Sequence, residues 1–394
     1  MITNKEIPVN TSSLNQISTE DEILILGGGV AGCAASIALA RKGRSVTLIE
    51  REPAPRHKVC GEFLSGEALE DLHELGIDVA SLGAAPIDYV RLAAARRAAE
   101  APLPFPAASL TRKALDTALI AEAIAAGVNV ERGRSVQSLS RTTSNAWQAT
   151  LDDGSTRKAP TAFLATGKHD LRGYARPKDP DRWVAFKTYF RLAPAQSAEL
   201  ERASELMLYP GGYGGIQPVQ GGNANLCCVV QQRYLARVGN RWENFLAKMQ
   251  QDCPHLAMRL AGAEPLLDKP IAITHIPYGF IRRTTEDALY CIGDQAAVIP
   301  SFTGDGISIA LHTARCAVAA YLAEESAPLF QARMRSALLP QMRLAELAAD
   351  GLNNSLARAV LPFCLNVWPG VMRLTARLTR VAQHATVAAH AVAG

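Results

Sequence analysis

The sequence predicts an α/β protein: a Rossmann-like domain interrupted by an antiparallel-sheet domain, with helices toward the C-terminal end. Three observations carry this. An apolar run, a glycine-rich turn and an Ala-rich stretch follow one another over residues 23–42. A second glycine-rich turn opening a helical run returns far downstream, at residues 300–307. Between them, residues 183–280 alternate apolar and polar as an antiparallel sheet does.

The composition permits that fold and excludes others. Of 394 residues, 48% are hydrophobic and 20% charged, enough for a core and too apolar for a mostly disordered chain. The net charge of +4 is too small to indicate a nucleic-acid binder. The eight cysteines show no C-x-x-C spacing, so neither a zinc site nor a disulfide framework is expected. A reducing, cytoplasmic setting is the expectation, with no bound metal. Residues 1–20 are polar and read as a loose tail without a signal-peptide run. The apolar run at 359–372 holds Pro362, Asn366 and Pro369 and is shorter than the ~20 residues a bilayer span needs.

The first motif reads as strand, turn, helix, strand, acid. Ile23-Leu24-Ile25-Leu26 precedes Gly27-Gly28-Gly29-Val30-Ala31-Gly32, and Val46-Thr47-Leu48-Ile49 ends on Glu50. Gly27 permits the tight turn, Gly29 lets the backbone approach a pyrophosphate, and Gly32 lets helix and strand pack closely. Free N–H groups and a positive dipole end then face the phosphates. Glu50 stands where an acid holds a ribose hydroxyl. This context favours dinucleotide binding over a chance glycine-rich turn. It does not choose between FAD and NAD(P).

The second motif is Cys291-Ile292-Gly293-Asp294-Gln295-Ala296-Ala297, a strand ending in a carboxylate suited to a ribityl chain. Pro300-Ser301-Phe302-Thr303-Gly304-Asp305-Gly306 follows and opens a helix at Ile307. Amides from Gly304 to Ile307 would stabilise negative charge near N1 and O2 of a reduced flavin.

With these motifs in order, the sequence resembles the FAD-dependent oxidoreductases of the para-hydroxybenzoate hydroxylase-like superfamily. It looks most like the branch of geranylgeranyl reductases and related flavoprotein monooxygenases and halogenases. Further matches are Lys58-Val59-Cys60-Gly61-Glu62-Phe63, Arg112 with Asp116, and Tyr209-Pro210-Gly211-Gly212-Tyr213-Gly214. The resemblance spans residues 22 to about 320 and implies FAD as cofactor. It implies that Glu50 holds the adenosine ribose, Arg112 the pyrophosphate or ribityl region and Asp294 the ribityl chain. Arg51, Lys58, Cys60, Gly61, Val136, Thr166, Gly167 and Gly293 complete the implied FAD set with Val30, Ala31 and the glycines. Arg112 also has a plainer reading, as a surface cation at a helix start.

Two departures matter. The Asp-Gly pair that superfamily hydroxylases link to FAD and NAD(P)H is absent from Leu164-Ala165-Thr166-Gly167-Lys168-His169-Asp170, which leaves NADPH or NADH an external donor without a visible site. The Trp-x-Trp-x-Ile-Pro signature of tryptophan halogenases is also absent, so halogenation is not expected. No second dinucleotide turn follows a strand, so no separate nicotinamide domain is expected.

Candidate catalytic residues are Cys60, Tyr213, Gln217 and His275. Cys60 is either redox-active, a proton donor, or a small residue chosen for fit. Tyr213 and Gln217 either orient a polar substrate group or cap a sheet. His275 and Tyr278 flank Pro277 and suit acid–base work, although a lone His beside apolar residues is commonly structural. His57, between Arg56 and Lys58, reads as part of a basic edge near the phosphates.

The chain divides into a tail at 1–20, an FAD-binding domain at 21–170 and 281–325 with a helical insertion at 61–105, a substrate-binding sheet domain at 171–280, and a helical region at 326–394. Residues 61–80 space Leu64, Leu69, Leu72 and Leu75 on one helical face, and 101–106 read as a Pro-rich connection. The C-terminal region is either a helical pair packed on the core, or a lid or surface that meets a membrane or carrier protein. Three functions are carried forward. The first is a monooxygenase hydroxylating an aromatic or polyketide-like hydrophobic molecule through a flavin C4a-hydroperoxide. The second is an alkene reductase or dehydrogenase of the geranylgeranyl reductase type. The third is a non-enzymatic prenyl-carrier scaffold. The oligomeric state is not read from the sequence.

Overall fold

The computed structural model describes residues 22–95, 97–177 and 183–353. Its framework is a five-stranded parallel sheet in the order Leu289–Cys291, Thr161–Leu164, Glu22–Leu26, Ser45–Glu50, Asn129–Arg132. The period of two along the first strand sorts its side chains. Ile23 and Ile25 face one core, Leu24 and Leu26 another. The first core is covered by helices Val30–Arg41, Gly66–Glu74, Arg112–Ala125 and Gly306–Leu322. The second is covered by a three-stranded antiparallel sheet, Val136–Arg141, Trp147–Leu151 and Thr156–Ala159, with Trp147 fully buried. The layered α/β architecture is the one the sequence predicts.

A nine-stranded, mainly antiparallel sheet stands against this half. Its central strands are Trp183–Arg191, Asn223–Gln231, Gly212–Val219 and Ala203–Tyr209. Helices Pro194–Leu200, Trp242–Asp252 and Pro254–Arg259 cover one face. The opposite face carries Ala185, Tyr213, Val229 and Cys227 with partly buried Ile271, Ile273, Trp183, Tyr278, Phe280 and Phe302.

The expected helical insertion at 61–105 is corrected. Only Gly66–Glu74 is helical there, and Ala85–Ala94 and Arg97–Ser109 form a hairpin that joins the nine-stranded sheet. The Pro-rich 101–106 lies inside that second strand, beside a register shift at Ile87 and Tyr89, where missing amide donors disturb the ladder least. Pairing with Ala203–Tyr209 overrides the weak local signal.

Helix Ala327–Asn353 seats Phe330, Met334, Leu338, Met342 and Ala345 in the core. The tail at 1–20 and the apolar stretch at 359–372 lie outside the described residues. Among the described residues no helix is long and apolar enough to cross a membrane, and no cluster of His, Cys, Asp or Glu suits a metal.

Candidate FAD-binding and catalytic site

A cleft of about 760 Å³ opens at the C-terminal ends of the parallel strands, between them and the nine-stranded sheet. That is where open α/β sheets place ligands, and the volume is in the usual range of small-molecule sites. Gly27, Gly29, Glu50, Arg51, Lys58, Arg112, Val136, Thr166, Gly167 and Asp294 line it.

The glycine turn explains the cleft's narrow end. Gly27 has φ +116°, and a side chain there would strike the Ala165 carbonyl at 2.4 Å. A Cβ on Gly32 would stand 1.8 Å from the Gly27 carbonyl oxygen, so helix Val30–Arg41 approaches its own turn as only glycine permits. Gly29 caps the helix without a side-chain bond, leaving the first-turn amides for something else. A Cβ on Gly29 would meet only the Arg112 guanidinium, at 3.8 Å. The space between helix amides and guanidinium suits a pyrophosphate.

Glu50 stands at the far edge of the turn. Its Oε2 accepts the Gly28 amide at 2.7 Å and its Oε1 the Glu52 amide at 2.9 Å. Arg112 is not a surface cation: its Nε donates to Asp116 at 3.0 Å, and Lys58 Nζ reaches the same buried carboxylate at 2.9 Å. One carboxylate therefore anchors two cations at the cleft wall.

The Asp294 end is braced by Gln295, inside the second motif, and by Arg176, outside the motifs. Gln295 Nε2 donates to Thr166 Oγ1 and the Gly167 and His169 carbonyls at 3.0, 3.0 and 3.1 Å. Arg176 donates to the Asp294 carbonyl at 2.9 Å and to Asp170 at 2.7 Å. Arg51 packs on His169, whose pKa falls through burial and that guanidinium. Gly293 has φ +59° and donates its amide to Thr313 Oγ1 at 2.8 Å. These features suit an extended dinucleotide: an amide-rich turn, an acid, paired cations and a second acid.

Other expected site residues sit differently. Val30, Ala31, Gly32 and Gly293 back the turn rather than line the cleft, and Gly304, Gly306 and Ile307 do not line it. Gly304 has φ +76° and lies against the Phe63 ring. Gln217 donates to the Gly61 carbonyl at 2.8 Å, so its amide holds a loop. Asn225 holds the same loop through Cys60 O at 3.3 Å and Gly61 O at 2.8 Å. Cys60 has no cysteine partner, and its Sγ accepts the Glu62 amide at 3.3 Å. Tyr213 is buried and bonds Ser301 Oγ at 3.0 Å; burial pushes its hydroxyl up to about 12.

The two histidines singled out in the sequence sit differently from each other. His275 is exposed, with φ +58°, and contacts Thr274 Oγ1 next to it, away from the cleft lining. His57 does not merely line a basic edge, because its Nδ1 meets Tyr189 Oη at 2.9 Å. The sequence reading missed the buried set behind that contact: Glu62, Lys187 and Tyr189. The available signal was a lysine in the middle of the apolar strand Trp183–Arg191.

Comparisons with known proteins agree with this geometry. The family model "Pyridine nucleotide-disulphide oxidoreductase" matches residues 2–84. The menaquinone reductase of Mycolicibacterium smegmatis is 25% identical over 321 residues, 76% of each chain. The squalene monooxygenase of Rattus norvegicus is 35% identical over 107 residues, 27% of this chain and 18% of its own length. Among solved structures, the flavin-dependent brominase Bmp2 superposes with a TM-score of 0.75 at 19% identity, covering 91% of this chain and 93% of its own. That last likeness shows the fold. These matches are to oxidoreductases, flavin-dependent ones among them, and they do not single out the geranylgeranyl reductase branch.

Proposed function

We propose that the chain is an FAD-dependent oxidoreductase that passes electrons between its flavin and a double bond of a hydrophobic, unsaturated small molecule, in the reducing direction. The carrying observation is the apolar sheet face beside the cleft, where Ile271 and Ile273 line the cavity and belong to the same cluster as Trp183, Tyr278, Phe280 and Phe302. Such a face takes a greasy body and offers few polar anchors. The menaquinone reductase match supports reduction, because it runs through three-quarters of the chain. A second reading, oxygenation, is supported by the squalene monooxygenase match, which is confined to 107 residues.

FAD, when bound, supplies the two-electron chemistry. The chain's residues supply the rest. Gly29 and the first-turn amides face the phosphates, with Arg112 and Lys58 opposite. Glu50 takes the adenosine ribose, and Asp294 the ribityl chain. Gln217 and Asn225 hold the Cys60-Gly61 backbone against the sheet. A reduced nicotinamide serves as external electron donor. We place no nucleic acid among the partners.

Rapid mixing tests the direction. The FAD-loaded protein is reduced anaerobically and mixed with oxygenated buffer, with and without a phenolic ligand. Direct reoxidation without a transient spectral species supports the reductase, and alkenes of prenyl and polyketide chains are then assayed. A ligand-dependent transient before the oxidised spectrum returns overturns it in favour of oxygenation.

A further inference from the structure

We propose that Lys168 holds the acidic head of the substrate, which makes the hydrophobic molecule of this cleft a long-chain unsaturated carboxylate. The proposal rests on the flavin-dependent reading above and narrows its substrate class.

Charge in the cleft is unevenly matched. Of the seven lysines and arginines that line it, five have a carboxylate within ion-pair distance among the described residues. Arg51 and Arg56 reach Glu52, Lys58 and Arg112 reach Asp116, and Arg134 reaches Asp153. Lys168 and Arg172 reach none among the described residues. Arg172 is exposed, so water serves its guanidinium. Lys168 is partly buried, and its ammonium uses one of its three donors, on the Val59 carbonyl at 3.0 Å. The nearest acid in sequence, Asp170, is committed to Arg176 at 2.7 Å. A cation drawn partly out of water without a counter-ion is costly, and an anion entering the cleft relieves that cost.

The surroundings of that ammonium say what kind of anion enters. Val59, whose carbonyl it holds, lines the cleft and belongs to the apolar cluster of the sheet face. Ile271 and Ile273 belong to the same cluster and line the cleft as well. Cys227 is a further member, and burial pushes its thiol up to about 11 against the Lys187 and Lys168 charges. The Lys168 charge is therefore felt at the greasy face. A ligand that meets both is apolar over most of its length and negative at one end. Lysine offers a point charge rather than a planar fork, and one ammonium matches one negative charge. A carboxylate fits that count. A diphosphate carries more charge than this lysine balances, and Lys58 and Arg112 already share Asp116.

Lys168 acts by binding alone. No bond to carbon forms at the ammonium, and no proton leaves it. It fixes the head of the molecule while Ile271 and Ile273 take the chain beside it. A neutral molecule of the same shape leaves the ammonium unmatched, and a site with an unmatched polar group discriminates against the ligand that lacks the partner.

The test is equilibrium dialysis of the FAD-loaded protein against radiolabelled farnesoate, farnesol or farnesyl diphosphate. It is run at about pH 8, where the carboxylate is ionised, and below the concentration at which these lipids aggregate. The wild type should bind farnesoate roughly 10- to 100-fold tighter than farnesol, the range of a hydrogen bond to a charged group. Lys168→Met should bring farnesoate to the affinity of farnesol while farnesol binding and retained FAD stay unchanged. Lys168→Arg keeps a cation there and should keep most of the preference. Arg172→Met removes the other unpaired cleft cation and should keep it too; an equal loss would mean general cleft charge and overturn the proposal. Farnesol bound with no preference for the acid, or a preference that survives Lys168→Met, overturns it and leaves the function reading standing. Farnesyl diphosphate bound tighter than farnesoate overturns the carboxylate assignment, and loss of FAD from Lys168→Met assigns the lysine to the cofactor instead. A wild type that holds FAD but binds none of the three overturns the hydrophobic-substrate reading itself.

Discussion

The Gly28 amide donates to Glu50 Oε2 at 2.7 Å, so the turn that opens the cleft and the acid at its edge are one hydrogen-bonded unit. A Cβ on Gly28 would fall 2.9 Å from the Glu50 Cβ, which shows how closely the two are fitted. Glu50→Ala removes the acceptor of two backbone amides as well as the proposed ribose partner. Hydrogen bonds to charged groups contribute about 1.5–3 kcal/mol each, so FAD affinity should fall by roughly 10- to 100-fold. Titration of apoprotein with FAD, followed by flavin fluorescence, measures this. Unchanged affinity contradicts the assignment.

Gly32→Ala tests the close approach of helix and turn. The added methyl would stand 1.8 Å from the Gly27 carbonyl, a backbone atom that cannot swing aside. Overpacking costs about 1–3 kcal/mol or more, and the turn that faces the phosphates shifts with it. We expect a lower Tm and weaker FAD uptake in the same protein. A variant with wild-type Tm would show that the turn relaxes freely.

Arg112→Met separates charge from bulk. It leaves Lys58 on Asp116 and removes the guanidinium that faces Gly29. FAD affinity should drop, and its dependence on salt should flatten, because one cation facing the phosphates is gone. Parallel FAD titrations at low and high salt check both parts. A surface cation with no cofactor role would change neither.

Glu205 sets an acid limit on stability. Its burial alone would raise its pKa, but hydrogen bonds and charge from His255 and Arg259 win and hold it down to about 2. A carboxylate lowered on folding stabilises above its unfolded pKa, and this contribution is lost as pH falls through the folded value. Denaturant unfolding should therefore weaken between about pH 4.5 and 2. Glu205→Gln should be less stable at pH 7 and lose most of that slope. A slope identical to wild type would contradict the assignment.

Local features of the fold were legible in the sequence, and long-range pairings were not. The turn at 27–32, Glu50 and the Gly293-Asp294 segment announce themselves because a strand, a turn and a helix are contiguous in sequence. The hairpin Ala85–Ala94 and Arg97–Ser109 was not legible, because its alanines and prolines carry little strand preference and the sheet decides the outcome. Nor was the Glu62 pairing with Lys187 and Tyr189, since residues over a hundred positions apart meet only once the chain has folded. His275 misled because a histidine beside a tyrosine and a proline looks chemical, while the backbone turns it outward to solvent.

The most direct measurement is the visible spectrum of the purified protein after incubation with FAD and removal of the excess. The account predicts retained flavin with a shifted spectrum, released on denaturation and retained poorly by Glu50→Ala. A folded wild-type protein that stays colourless and takes up no FAD would contradict it.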